Sequence, residues 1–214
     1  MAFDFGTFLP PLVRGAGLTI FLCLISGSIG TLIGLVVGIA RSSPWRVLRW
    51  TAAVYTNFIR GIPILIILLF SYFVLPLMFS AATFSRGVTA IAGLSIYAGA
   101  YIAEIFRGSI EAIPRGQLEA AEALGMHYVS EMRYIVLPQA MKIAVPPLVG
   151  FLIALVKASS LVSVIGYTDL TRAGQIITSQ NQLPLTTFVI VAAFYFAISY
   201  PISLFGRWYE RRIA

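Results

Sequence analysis

Charge is what this sequence has least of. Only 11% of its 214 residues are charged, while 59% are hydrophobic. A soluble domain carries about a quarter charged residues, so this chain has too little polar surface to cover a globule in water. Cysteine is nearly absent as well. Cys23 stands alone inside an apolar run, and a single thiol forms no intramolecular disulfide. The one histidine, His127, cannot assemble a metal centre. Only two lysines occur, Lys142 and Lys157. Neither follows a G-x-x-x-x-G stretch and neither precedes Ser or Thr, so the chain lacks the loop that cradles nucleotide phosphates. No cleavable leader is expected, because Met1 to Leu9 contains Asp4 and no basic residue, and the apolar run that follows exceeds a signal core.

Long apolar runs are what the chain has instead. A helix needs about 20 apolar residues to cross a bilayer core, and five stretches meet that length. They run from about Gly15 to Ala40, Ala52 to Ala82, Gly87 to Ala103, Ile143 to Ile165 and Pro184 to Gly206. Alternating segments of about ten residues, the mark of a membrane barrel, are missing. The expected fold is therefore an all-α, integral membrane protein of five transmembrane helices in one domain, residues 1–214. Gly30, Gly34 and Gly38 recur every four residues in the first run. That strips one helix face of side chains and predicts close packing against a neighbour.

The net charge of +7 is distributed unevenly. With the C-terminus inside, the inner side holds Arg41, Arg46, Arg49, Arg60, Arg107, Arg115, Arg133, Lys142, Arg207, Arg211 and Arg212. The outer side holds only Arg14, Arg86 and Arg172. Positive residues mark cytoplasmic loops, so the N-terminus is expected on the periplasmic side and the C-terminus in the cytoplasm. This pattern accounts for the basic character without any nucleic acid. The outer connection from Gly166 to Leu183 reads either as a partner-facing surface helix or as a solvated linker.

The longest polar stretch, about Arg107 to Lys142, falls on the inner side. From Arg115 it is rich in Ala, Glu and Leu, strong helix formers. Gly125 then stands where a helix would end in a left-handed residue. A second short helix is expected from about Tyr128 to Leu137, running up to Pro138, with Val129, Met132, Ile135 and Val136 on one apolar face. A helix, a glycine corner and a second helix outside the bilayer make a docking element.

Glu119-Ala120-Ala121, three residues, Gly125, nine residues, then Ile135-x-Leu137-Pro138 is similar to the cytoplasmic EAA loop of ATP-binding-cassette importer permeases. The resemblance covers nearly the whole chain. Phe58-Ile59-Arg60-Gly61-Ile62-Pro63, Gly99-Ala100-Tyr101-Ile102-Ala103-Glu104 with Arg107-Gly108, the Lys157-to-Ser163 segment and the tail Glu210-Arg211-Arg212 all look like parts of polar amino-acid permeases. It implies a translocation subunit, not an enzyme, in the bacterial inner membrane. It also implies a second permease, identical or homologous, two ATP-binding subunits that hold the ATP and Mg, and an extracytoplasmic substrate-binding protein. No cofactor is implied for this chain. ATPase coupling is implied for Glu119, Ala120, Ala121, Gly125, Met126, Ile135, Leu137 and Pro138.

The candidate substrate path is Arg60, Tyr101, Glu104, Lys157, Ser159 and Ser160. A charge deep in a span costs about 2.5–3.5 kcal/mol on insertion scales, so Lys157 needs compensation. It either lies on the path or at a gate, or it is a structural charge paired with Glu104 or with backbone carbonyls. Arg60 either bridges to Glu104 at the inner side or anchors its span among headgroups. Pro63 predicts a hinge just after it. Tyr101 lines the path or packs. Ser159 and Ser160 bond a polar solute or a neighbouring helix. Many relatives carry an acid after this lysine, whereas this chain has Ala158, which disfavours cationic cargo. Another small polar solute is the alternative cargo. A transporter driven by an ion gradient is disfavoured by the odd span number and the lack of inverted halves. A scaffold that only recruits a cytosolic protein would have little use for an intramembrane lysine.

Overall fold

The computed structural model describes residues 4–78 and 85–213, and all regular structure among them is helical. Helix α1 spans Phe5–Arg41, with Asp4 capping it by accepting the Gly6 N–H at 3.0 Å. Helix α2 covers Arg46–Gly61, α3 Ile64–Leu69 and α4 Leu75–Met78, with a π-turn at Phe70–Val74 between the last two. Helix α5 covers Arg86–Glu111, α6 Arg115–Ala123 and α7 Tyr128–Glu131. A second π-turn, Met132–Val136, leads into α8, Leu137–Ala158, which tightens to a 3-10 turn over Ser159–Ile165. Helices α9, Leu170–Asn181, and α10, Pro184–Ile213, complete the chain.

Among the described residues, four helical stretches are long and apolar enough to cross a bilayer: Gly6–Arg41, Arg86–Glu111, Tyr128–Ile165 and Pro184–Arg212. The stretch expected as the second span is a bent pair, Arg46–Gly61 and Ile64–Met78, turning by 102°. Pro63 causes the break. It lacks an N–H and pushes the preceding residue out of the helical region, and Ile62 is extended at φ −108°, ψ 133°. The hinge expected after Arg60 is therefore present. The expected end of that span, near Ala82, lies outside the described residues.

Helices α1 and α5 form the closest pair. A Cβ on Gly30 would lie 2.5 Å from the Ala98 side chain, one on Gly34 2.6 Å from Ile102, and one on Gly38 2.7 Å from Phe106. Both helices advance four residues per step, so the three contacts repeat along one seam, as the glycine spacing predicts. Lipid tails are as apolar as leucine, so this shape match and its dispersion contacts hold the helices together, with little hydrophobic drive. Around the seam Leu22, Leu68, Leu94, Leu155 and Val162 form the main core.

Two boundaries differ from expectation. The third span does not stop at Ala103: α5 continues to Glu111, so the first residues of the expected polar loop belong to a membrane helix. Pro138 does not end a separate helix either. The Leu137 N–H reaches back five residues to the Met132 carbonyl, and this wider π-turn makes room for the proline ring, so α7 runs on into α8. Of the two readings of the 166–183 connection, the solvated linker fails. Asp169 accepts the N–H groups of Thr171 and Arg172, and Leu170, Ala173 and Ile177 of α9 pack against Leu12 and Ala16 of α1. Burial pushes the Asp169 carboxyl above the usual carboxylate range, opposed by those two N–H bonds.

Candidate functional site

Three groups of side chains carry the candidate chemistry. The first is the corner between α6 and α7. Gly125 has φ +75°, as its position predicts. Its N–H donates to the Glu122 carbonyl at 2.9 Å, and the Met126 N–H donates to the Ala121 carbonyl at 3.0 Å. These two bonds close α6 through a left-handed residue. His127 is extended and its carbonyl accepts the first N–H groups of the next turn, from Ser130 and Glu131.

The corner is fixed at its base and free at its tip. Ala121 is 1% exposed, and Leu118 and Tyr128 pack onto Ile110, Ile113, Met132, Val136 and Ala140. Gln139 donates to Gln117 across 2.6 Å, and Tyr128 meets Trp45 edge-on with ring centroids 6.3 Å apart. Glu119, Ala120, Gly125 and Pro138 are exposed, while Met126, Ile135 and Leu137 are half-buried. Leu124, at the tip, is 83% exposed, and Val129 is exposed beside the corner. A polar segment thus presents two apolar side chains on a rigid turn.

The second group surrounds Glu104 on α5. Its Oε2 lies 3.4 Å from Arg41 and 3.5 Å from Arg60, and its Oε1 accepts a hydrogen bond from Arg107. Arg107 also bridges to Glu111. Oε2 has neither guanidinium in hydrogen-bonding geometry, so the Arg41 and Arg60 contacts are electrostatic and loosely directed. The Arg60 guanidinium also sits over the Tyr101 ring, 5.4 Å from its centroid. Tyr101 stacks on Phe151 of α8 at 5.6 Å. Arg60, Tyr101 and Glu104 are therefore brought together, and the Arg60–Glu104 bridge is formed.

Lys157 is not part of that group. Glu104 is taken by three arginines, and no described carboxylate lies within ion-pair distance of Lys157, so the expected Lys157–Glu104 alternative fails. The lysine instead lines a groove of about 530 Å³ between α8 and α10. Ser160 shares that groove with Tyr195, Ser199, Tyr200 and Ser203. The Ser199 hydroxyl is buried without a partner among the described residues. Ser159 faces elsewhere: it is fully buried and donates to the Val156 carbonyl.

The family model described as binding-protein-dependent transport system inner membrane component matches residues 30–214. The chain belongs to this family. It is 39% identical over 205 residues to the probable amino-acid ABC transporter permease protein YckA of Bacillus subtilis (strain 168), covering 96% of this chain and 90% of that one. Against the glutamine transport system permease protein GlnP of Escherichia coli (strain K12) the identity is 37%, covering 100% and 99%. Among solved structures, the crystal structure of an amino acid ABC transporter with histidines matches with a TM-score of 0.89 at 35% identity, covering 99% of this chain and all of that one. The MetNI methionine ABC transporter in an inward-facing conformation matches with a TM-score of 0.82 at 26% identity, covering 95% and 96%. As an inner membrane component of a binding-protein-dependent system, the chain is a multi-pass permease and not the catalyst.

Sequence reasoning missed several members of these groups. Arg107 and Glu111 follow Glu104 at i+3 and i+7, a spacing that aligns charges on a helix face, so their bridges were open to prediction. Arg41 lies far away in sequence and reaches Glu104 only because the α1–α5 seam brings the two helix ends level. The hydroxyl row on α10 was hidden because Ser199 and Ser203, four apart, look like ordinary polar residues of a membrane helix.

Proposed function

We propose that this permease forms half of the translocation pathway of an ATP-driven importer for a polar amino acid. Two ATP-binding subunits hold ATP and Mg and dock on the α6–α7 corner. A second permease, identical or homologous, completes the pathway, and an extracytoplasmic binding protein delivers cargo. The observation that carries this reading is the Gly125 corner: a left-handed turn, rigid at its base, that offers Leu124 and Val129 to a partner. Glu119, Ala120, Gly125 and Pro138 form its outer face in this reading, and Ala121, Met126, Ile135 and Leu137 its support. When ATP closes the ATPase pair, the corners move together. That biases the spans between two arrangements, a population shift driven by differential contacts.

Amino-acid cargo is supported by relatives named for glutamine, cystine and arginine transport, at 37%, 36% and 34% identity over nearly the whole chain. The bent pair counts as one span in this reading, giving five in a single domain, N-terminus periplasmic and C-terminus cytoplasmic. Arg60, Tyr101 and Glu104 act at the inner gate, where loosely directed bridges can be exchanged cheaply. Lys157 and Ser160 line the path, with the ammonium facing a substrate carboxylate, and Ser159 supports the helix turn beside them. The reading is tested by uptake into proteoliposomes holding the complex and its binding protein. Accumulation of labelled glutamine, cystine or arginine with ATP supports it. Accumulation of none of these, with transport of a solute that is not an amino acid, refutes the cargo.

A further inference from the structure

Arg14 and Arg86 lie on the same cavity, at the end of the bundle opposite the Glu104 cluster. The cavity has a volume of about 760 Å³ and opens between α1, the start of α5, the 166–168 turn and α9. Its walls are largely apolar, with Pro11, Leu18 and Ile176 among them. Neither cation is neutralised there. Arg14 has no hydrogen bond or ion pair among the described residues. Among the described residues Arg86 meets only neutral oxygens, the Gly166 carbonyl at 3.3 Å and the Tyr72 hydroxyl at 3.5 Å. Asp169, which follows the 166–168 turn of the cavity wall, is fully buried and satisfied by Thr171, Arg172 and Tyr195.

Fifteen positive side chains are spread through this chain, and the charge distribution leaves few of them at this end. Of those few, two converge on one apolar-walled cavity. The depth also matters. The 37 residues of α1 span about 55 Å at 1.5 Å per residue, against a hydrocarbon core of about 30 Å. The helix is therefore longer than the core, and Arg14 stands immediately before its uncharged run from Gly15 to Ala40, at the core boundary. Cations at headgroup depth above an apolar wall match a ligand with a phosphate at one end and acyl chains at the other.

We propose that this cavity holds an anionic phospholipid, its phosphate between Arg14 and Arg86 and its upper acyl chain along Pro11, Leu18 and Ile176. The assignment to the periplasmic leaflet rests on the orientation proposed above; the binding itself does not. The test uses the whole complex of permease and ATPase subunits in nanodiscs of phosphatidylcholine mixed with phosphatidylglycerol. Native mass spectrometry counts the lipids that stay bound. Wild-type complex is expected to retain phosphatidylglycerol over phosphatidylcholine. Each of Arg14→Gln and Arg86→Gln is expected to lower that preference about five-fold, the effect of one basic residue at a membrane surface. The Arg14→Lys and Arg86→Lys double variant, which keeps both charges, should retain most of it. Equal retention of the two lipids by wild type overturns the proposal, as does an undiminished preference in the double glutamine variant. Loss of stimulation by the binding protein with lipid retention unchanged also overturns it, because the cavity would then be a protein dock. The lipid count depends on neither cargo nor sidedness, so failure there is distinct from failure of the transport reading.

Discussion

Gly34 on α1 approaches Ile102 on α5 so closely that a Cβ built on the glycine would lie 2.6 Å from the isoleucine side chain. The Gly34→Ala change must displace Ile102 or part the helices. Overpacking of this kind costs about 1–3 kcal/mol, so the thermal midpoint of the purified complex should fall. Gly17→Ala is the control, since nothing lies within 4 Å of its added Cβ and alanine is the better helix former. Equal midpoints for the two variants would show that the seam does not hold the bundle.

Gly125 holds a backbone conformation, φ +75°, that a β-branched residue rarely adopts. Forcing such a residue there costs roughly 1–3 kcal/mol, and the corner gives way first because nothing packs around that position. Gly125→Val should leave insertion and α8 intact while ATP hydrolysis proceeds without uptake. Gly125→Asn, which tolerates the left-handed region better, should keep most of the coupling. Normal transport per ATP in the valine variant would remove the corner from coupling.

Sidedness is open to chemical labelling. Ser179 on α9 and Gln117 on α6 are both exposed, so a cysteine at either site can react if the reagent reaches it. In a Cys23→Ser background, an impermeant thiol reagent added outside the cell should modify Ser179→Cys and spare Gln117→Cys. The reverse pattern would invert the orientation and put the α6–α7 corner on the wrong side for an ATPase.

What could be read from the sequence follows from how local each signal is. The all-helical architecture rests on run lengths, which lipid enforces directly. The Gly30, Gly34 and Gly38 seam and the Gly125 corner were legible because each depends on spacing within one helix or turn. The break at Pro63 was visible as a hinge, but its 102° angle depends on where α3 packs, and no local signal sets that. Helix ends were misjudged where polar residues continue a membrane helix, as in α5 beyond Ala103, since hydropathy falls before the hydrogen-bond ladder does. Arg41 as a partner of Glu104, and the surroundings of Lys157, were the least legible. A charge in a span announces that it needs compensation, but the identity of the compensating group is a tertiary fact.

Lys157 lines the α8–α10 groove with no carboxylate partner among the described residues, beside the Ser199 hydroxyl, which finds no partner among them either. If a substrate carboxylate supplies the missing charge, Lys157→Met should abolish uptake while complex yield and basal ATP hydrolysis persist. Ser199→Ala should weaken uptake less, by about five- to ten-fold, the effect of one hydrogen bond. Normal yield together with normal uptake in Lys157→Met would take the lysine off the path.

The central claim is that this permease moves cargo at the expense of ATP hydrolysed by its partners. The most direct measurement follows uptake and ATP hydrolysis together in proteoliposomes containing the permease, the ATPase subunits and the binding protein. Uptake should require ATP, rise with added binding protein, and survive collapse of proton and sodium gradients. Uptake that persists without ATP and disappears when those gradients are collapsed would contradict the account.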